Sequence, residues 1–215
     1  MATKFGGPGD DVITGTPDAD ILDGLGGNDH ITGGNGDDSL TGDAGNDVLR
    51  GGAGNDHIIG DDLRDQSLDA SGRDQLFGGD GNDFILGGKG VDLLSGGAGA
   101  NDFRFLADAS SGSAADPVYD SGVGAGNRDR IIDFHSGSDL IDLSFDANLA
   151  TGGFDRFDFI GRVAPNQALF AGQVGWFESG GSTIVTANTQ AAPGSTFQIQ
   201  LDGVDLGLKA GDFGP

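Results

Sequence analysis

A nine-residue period governs the first hundred residues. Written in nines from Gly6, the chain reads GGPGDDVIT, GTPDADILD, GLGGNDHIT, GGNGDDSLT, GDAGNDVLR and GGAGNDHII, without a gap through Ile59. The register resumes with GGDGNDFIL at 78, GGKGVDLLS at 87 and GGAGANDFR at 96. Position six holds Asp11, Asp20, Asp29, Asp38, Asp47, Asp56, Asp74, Asp83, Asp92 and Asn101. Position eight holds Ile13, Leu22, Ile31, Leu40, Leu49, Ile58, Leu76, Ile85, Leu94 and Phe103. Such a unit is too small to bury its apolar residue alone, so the repeats must stack and share one narrow core.

Stacking raises an electrostatic problem. Neighbouring strands lie about 4.8 Å apart, so acids repeated at one position are brought together. At an effective dielectric of about 20, two carboxylates at that distance repel by roughly 3 kcal/mol. The composition compounds this: 34 acidic residues against 11 Lys and Arg give a formal charge of -23, and Glu178 is the single glutamate. Glycine makes up 43 of 215 residues, and each glycine loses more backbone entropy on ordering than any other residue. One apolar residue per repeat does not offset these terms, so the repeat region alone reads as an expanded polyanion. A cation held between the acids reverses the sign of the largest unfavourable contribution. Short aspartate arms and exposed backbone carbonyls suit a hard ion with six to eight oxygen ligands, as calcium takes; the tight octahedron of magnesium suits them less well.

The same charge excludes partners. Phosphate backbones and anionic lipid surfaces are repelled, so neither nucleic acid nor membrane insertion is expected. No run of 18 apolar residues occurs, and the N-terminal MATKFGGPGDD lacks the apolar stretch of a cleavable signal peptide. The absence of cysteine removes disulfides, zinc-thiolate sites and thiol catalysis together.

The motif G-G-x-G-x-D-x-U-x resembles the RTX, or hemolysin-type, calcium-binding repeat. The resemblance implies an all-β fold: a right-handed parallel β-roll in which six residues turn and three form a strand, so that two repeats close one coil. It also implies several calcium ions between turns stacked on the same edge. Their ligands would be the carboxylates of Asp11, Asp20, Asp29, Asp38, Asp47, Asp56, Asp74, Asp83 and Asp92. Oxygens of the turn residues Gly33, Asn35, Gly36, Gly42, Ala44, Gly51, Ala53, Gly54, Gly78, Asp80, Gly87 and Lys89 would complete the sets. Thr16 and Asp18 in the second repeat, Leu25 and Gly26 in the third, and Asn101 in the last depart from the motif, which predicts weaker sites there. The stretch GDDLRDQSLDASGRDQLF, residues 60 to 77, is either one repeat with a loop inserted at about 61–72 or two degenerate repeats.

The repeat stops at Phe105, giving a boundary between a roll at 6–105 and a second region at 106–215. There RIIDF, DLIDLSF, FDRFDFIG, QVGWFE, STIVTA and TFQIQLDG alternate between apolar and polar and are separated by turn residues. They predict an antiparallel-strand-rich capping region, and its aromatic content predicts that the ordinary core lies in this half. The stretches DRIIDFHSGSDLIDLSFDAN, FDFIG, GGSTIVTANT and FQIQLDGVDLGLKAGDF resemble the C-terminal domain of serralysin-type secreted metalloproteases. That resemblance implies type I secretion read from an uncleaved C-terminal signal, an extracellular location and folding on meeting external calcium. Asp129, Asp133, Asp139 and Asp142 match acidic positions of that domain, and Asp129 and Asp139 are candidates for a further ion. TANTQAAPGST and the ending DFGP depart from the relatives' pattern.

No enzyme is legible. An H-E-x-x-H zinc helix cannot exist with one glutamate, at 178, and histidines only at 30, 57 and 135. No G-x-S-x-G elbow accompanies the serines. The expectation is a monomeric, non-catalytic, calcium-folded secreted module. It is either the carrier part of a larger secreted metalloprotease or polysaccharide-modifying enzyme, or a stand-alone extracellular surface, matrix or adhesion protein.

Overall fold

A computed structural model describes residues 1–61, 72–105, 107–108, 118–119, 126, 128–143, 157–188, 197–203 and 206–214. Numbered in chain order, its strands fall into two long sheets. The first stacks β1 (Thr3–Phe5), β3 (Ile21–Asp23), β5 (Ser39–Thr41), β7 (His57–Ile59), β9 (Phe84–Leu86), β11 (Asp102–Arg104) and β15 (Leu140–Asp142) in that order. The second stacks β2 (Val12–Thr14), β4 (His30–Asn35), β6 (Val48–Ala53), β8 (Gln75–Asp80), β10 (Leu93–Ala98), β14 (Arg130–Ile131), β19 (Phe197–Asp202), β18 (Ser182–Asn188), β17 (Gln173–Ser179) and β16 (Asp158–Arg162). A short antiparallel pair, β12 (Ala107–Asp108) with β13 (Val118–Tyr119), stands apart. Among the described residues no helix is long and apolar enough to cross a membrane.

The coils of a parallel β-roll follow directly from the nine-residue period. Successive repeats alternate between the two sheets, and each strand pairs in parallel with the strand two repeats later, as in His30↔Val48 and Ser39↔His57. The middle residue of each three-residue strand points inward. Leu22, Leu40, Ile58, Ile85 and Phe103 of one sheet meet Ile31, Leu49, Leu76 and Leu94 of the other, all fully buried. Across residues 60–77 the pairing steps from Val48 to Gln75 and from His57 to Phe84, 27 residues instead of 18. Nine additional residues are therefore accommodated within one coil. The expected loop at about 61–72 falls mostly outside the described residues.

The roll does not end at Phe105. β14 continues the second sheet in parallel on β10, with Leu93↔Arg130, and β15 continues the first on β11, with Asp102↔Leu140. RIIDF and DLIDLSF thus supply a further parallel coil where antiparallel strands were expected. Among the described residues of this half, β17, β18 and β19 pair antiparallel, as does the separate β12–β13 pair, and β19 joins the roll by a parallel pairing with β14. The core is correspondingly continuous. One cluster runs from Ile13 through Phe103, Ile131 and Ile141 to Val174, Val185, Phe197, Ile199, Leu201 and Leu208. A small satellite of Val163, Leu169, Phe177 and Ile184 fills the opposite face of β17 and β18. At the end of the first sheet, Phe213 bridges Ile141 and the Gly214 N–H donates to the Ile141 carbonyl at 2.9 Å. The C-terminal segment thereby occupies an edge that would otherwise expose unpaired backbone.

Candidate metal centre

Two acidic columns run along the edges of the roll. Asp11, Asp29, Asp47, Asp74, Asp92 and Asp129 form one; Asp20, Asp38, Asp56, Asp83, Asn101 and Asp139 form the other. Each is tied to the next by the same bond: the backbone N–H of one donates to Oδ1 of its counterpart in the next coil. The distances are 2.7 Å for Asp29 on Asp47, 2.8 Å for Asp38 on Asp56 and 2.8 Å for Asp92 on Asp129. Asn101 keeps its place through Oδ1, which accepts from Asp83 at 3.1 Å. The remaining oxygens differ between the middle and the ends. Oδ2 of Asp29, Asp38, Asp47, Asp56, Asp74 and Asp83 is buried and accepts no hydrogen bond. In the first coil, by contrast, Oδ2 of Asp11 accepts from the Gly7 N–H at 2.6 Å and that of Asp20 from Thr16 at 2.5 Å. Asp139 is engaged at both oxygens, by Asn101 at 3.0 Å and by the His135 N–H at 2.8 Å.

Glycine at position one makes room for that second oxygen. A Cβ on Gly33 would collide with Asp38 Oδ2 and lie 2.7 Å from the Gly51 carbonyl; one on Gly42 would collide with Asp47 Oδ2 and lie 2.9 Å from the Gly60 carbonyl. Five of the six free Oδ2 atoms, all but that of Asp56, thus share their position-one gap with a carbonyl of the next coil. Gly42, Gly51 and Gly87 supply such carbonyls to Asp29, Asp38 and Asp74, and Gly60 and Gly96 supply them to Asp47 and Asp83. The Gly33 carbonyl lies in the same relation to Asp20. Gly60 and Gly96 were not singled out from the sequence, although both occupy position one.

The other turn oxygens are placed differently. Carbonyls of Ala44, Ala53 and Asp80 accept ladder bonds from Gly27, Gly36 and Gly54 at 2.8 to 2.9 Å. Those of Gly36 and Gly54 press against the glycine one coil further on, Gly54 and Gly81. Asn35 lies in the ladder opposite Ala53, Gly78 precedes Gly79, the partner of Gly52, and Lys89 follows the positive-φ Gly88. Positive φ belongs to positions two and four, as at Gly34 and Gly36, and not to position one. At two of the positions two that lack glycine, Leu25 (φ 72°) and Asp43 (φ 69°) still adopt it, at a cost of about 1 kcal/mol each.

A second ladder escaped the sequence reading. At position five, Asn28 Oδ1 accepts the Asn46 N–H at 2.9 Å and Asn55 Oδ1 accepts the Asn82 N–H at 2.8 Å. It runs opposite in direction to the aspartate ladder one residue away. Recurring Asn at positions 28, 46, 55 and 82 was the available signal. Asp133 and Asp212 close the last turns: Asp133 accepts from the Gly96 and Gly97 N–H groups at 2.9 and 2.8 Å, and Asp212 from Ser136 Oγ and the Gly137 N–H at 2.7 and 2.8 Å. Asp142 takes the Arg104 guanidinium, with Nε at 2.8 Å. His30 and His57 are exposed, the latter stacked on Phe84 at 4.3 Å between centroids.

Burial sets the electrostatics of the columns. Desolvation, with neighbouring carboxylates adding to it, pushes Asp47 and Asp56 up to about 6 and Asp74 up to about 9; Asp29, Asp38 and Asp83 are raised from the same first cause. A buried carboxylate oxygen without a donor is costly, and six in two rows form a pattern that asks for a cation. Among the described residues no three His, Cys, Asp or Glu side chains converge on one point. The oxygens that could hold an ion are carboxylate and backbone carbonyl oxygens side by side, a set that fits calcium better than softer metals.

Comparison with known proteins agrees with this chemistry. The family model of the RTX calcium-binding nonapeptide repeat (4 copies) matches residues 5–40, 32–66 and 70–103. The chain matches no curated protein. Among solved structures it is similar to the AlgE6R3 subunit of the Azotobacter vinelandii mannuronan C5-epimerase, at 22% identity over 97% of this chain and 80% of that one, with a TM-score of 0.37. It is also similar to the extracellular lipase LipA from Serratia marcescens, at 17% identity over 98% of this chain and 39% of that one, with a TM-score of 0.30. Residues 5–66 and 70–103 thus belong to the RTX calcium-binding nonapeptide repeats, and the described residues among them form a parallel β-roll.

Proposed function

We propose that the chain is an extracellular calcium-folded module, exported by a type I route with information near its C-terminus and without catalysis of its own. The observation that carries this reading is the row of buried Oδ2 atoms without hydrogen bonds at Asp29, Asp38, Asp47, Asp56, Asp74 and Asp83. These carboxylates, with the position-one carbonyls of Gly42, Gly51, Gly60, Gly87 and Gly96 beside them, would hold calcium between adjacent turns on both edges. When bound, calcium supplies positive charge and crosslinks between coils that have little apolar surface to share. Asp11, Asp20 and Asp139 contribute less, since backbone donors already satisfy the oxygens that would face the ion. Strands β16 to β19 close the end of the second sheet and give the coil of β14 and β15 a core to fold against.

Export before folding suits this design. A chain of charge -23 that lacks metal stays expanded, and calcium encountered outside the cell links binding to folding. Calcium titration followed by far-ultraviolet circular dichroism tests the reading. A disordered spectrum should convert cooperatively to β and revert with chelator. A β spectrum unchanged between chelator and excess calcium would overturn it.

A further inference from the structure

We propose a second binding site, for a soluble oxyanion, in the cleft that Arg73, Arg128 and Arg130 line on the outer side of the second sheet. The cleft has a volume of about 520 Å³, and Gln75, Val91, Leu93 and Gln200 line it together with the two carboxylates Asp74 and Asp92. Its charge is anomalous for this molecule. The chain has eight arginines, and three of them meet here on a surface otherwise dominated by aspartate.

The fold, not chance, assembles them. Gln75, Leu93 and Arg130 are register partners on β8, β10 and β14. Arg73 and Arg128 lie two residues ahead of the outer two, so their backbones are separated by two strand spacings, roughly 10 Å, with Val91 between. Two of the guanidiniums are held in place. Arg128 Nε donates to Gln198 Oε1 at 2.8 Å, and Arg130 grips Asp202 through Nε at 2.8 Å and through a second nitrogen at 2.5 Å. Arg128 is half-buried, and among the described residues no carboxylate lies within ion-pair distance of Arg73 or Arg128. In a protein with 34 acids, a partly desolvated guanidinium fixed by an amide and sharing a cleft with a second arginine without a carboxylate partner is arranged for an anion from outside. The planar fork of arginine suits the paired oxygens of a carboxylate or sulfate group.

The site rests on the calcium reading in one respect: Asp74 and Asp92 also line the cleft, and the ion proposed above at Asp74 would offset the negative charge there. The test uses the full chain at saturating calcium chloride and constant ionic strength. Sodium glucuronate and sodium methyl sulfate are titrated separately while the arginine Nε resonances are followed by NMR. A saturable shift of the Arg73 and Arg128 signals is expected with at least one anion, and comparing the two distinguishes a carboxylate from a sulfate source. R128Q and R73Q should each weaken binding about tenfold, the loss of one charge-assisted pair. R128K should recover part of it. R73Q changes an exposed side chain, so it reports on binding even if R128Q folds poorly. Shifts that do not saturate, or that survive both substitutions, would overturn the site. Failure of the calcium reading shows separately, as full order in chelator, and the anion titration is then repeated in that state.

Discussion

The backbone N–H of Asp29 donates to Oδ1 of Asp47 across 18 residues at 2.7 Å, while Oδ2 of the same Asp47 carboxylate is buried and accepts nothing. One oxygen stitches the coil and the other is left for a ligand. Truncation should therefore do more than remove a charge. Asp47→Ala should raise the calcium midpoint of folding several-fold and lower its cooperativity, whereas Asp158→Ala, on an exposed position of β16, should leave the midpoint unchanged. Equal midpoints in the two variants would contradict the ligand assignment. Asp47→Asn, which keeps Oδ1 as acceptor, should fall between them.

Glycine substitutions separate crowding from backbone strain. A Cβ on Gly33 meets Asp38 Oδ2 and the Gly51 carbonyl, while Gly180, at φ +63°, has nothing within 4 Å. In excess calcium, Gly33→Ala should cost about 3 kcal/mol or more, since neither neighbour can retreat without leaving the ladder. Gly180→Ala should cost about 1 kcal/mol, the left-handed penalty alone. Urea unfolding of both variants in calcium checks the order.

Protons and calcium should compete for the same oxygens. Burial raises Asp47 and Asp56 to about 6 and Asp74 to about 9 from an ordinary 3.8. A carboxyl raised on folding favours the folded chain below its unfolded value and loses that contribution as pH climbs through the folded one. The calcium-stripped chain should accordingly gain β structure near pH 4 and lose it between about pH 6 and 9. The calcium midpoint should move the other way, rising as pH falls from 8 to 5. Circular dichroism against pH, with and without calcium, measures both.

A core substitution should leave ion binding intact. Leu49 is fully buried at an inward position, so Leu49→Ala should cost about 2 to 5 kcal/mol in calcium. The calorimetric number of ions bound per chain should not change. A lost ion would mean that the core, and not the carboxylates, sets the sites.

The roll was legible because two sequence columns, the acid at position six and the apolar residue at position eight, report two different physical needs. The further coil was not. Asp129 with Ile131 and Asp139 with Ile141 repeat the same six-and-eight spacing, but FHSGSDLID keeps only Gly137 of its turn glycines, and Asp133 and Asp212 replace the missing geometry with side-chain bonds. The local pattern weakens where long-range contacts take over. Glycine at position one was readable as a requirement but not for its reason: the residue that follows the short strand is crowded by a carboxylate that arrives from five residues later. The asparagine ladder went unread because Asn beside Asp looks like turn chemistry until the coils are stacked.

Diffraction from crystals grown in calcium, with anomalous differences recorded, tests the central claim most directly. Peaks are expected between Asp47 Oδ2 and the Gly60 carbonyl, and at the equivalent gaps beside Asp29, Asp38, Asp56, Asp74 and Asp83. Ordered turns along both edges with no ion in those gaps would contradict it.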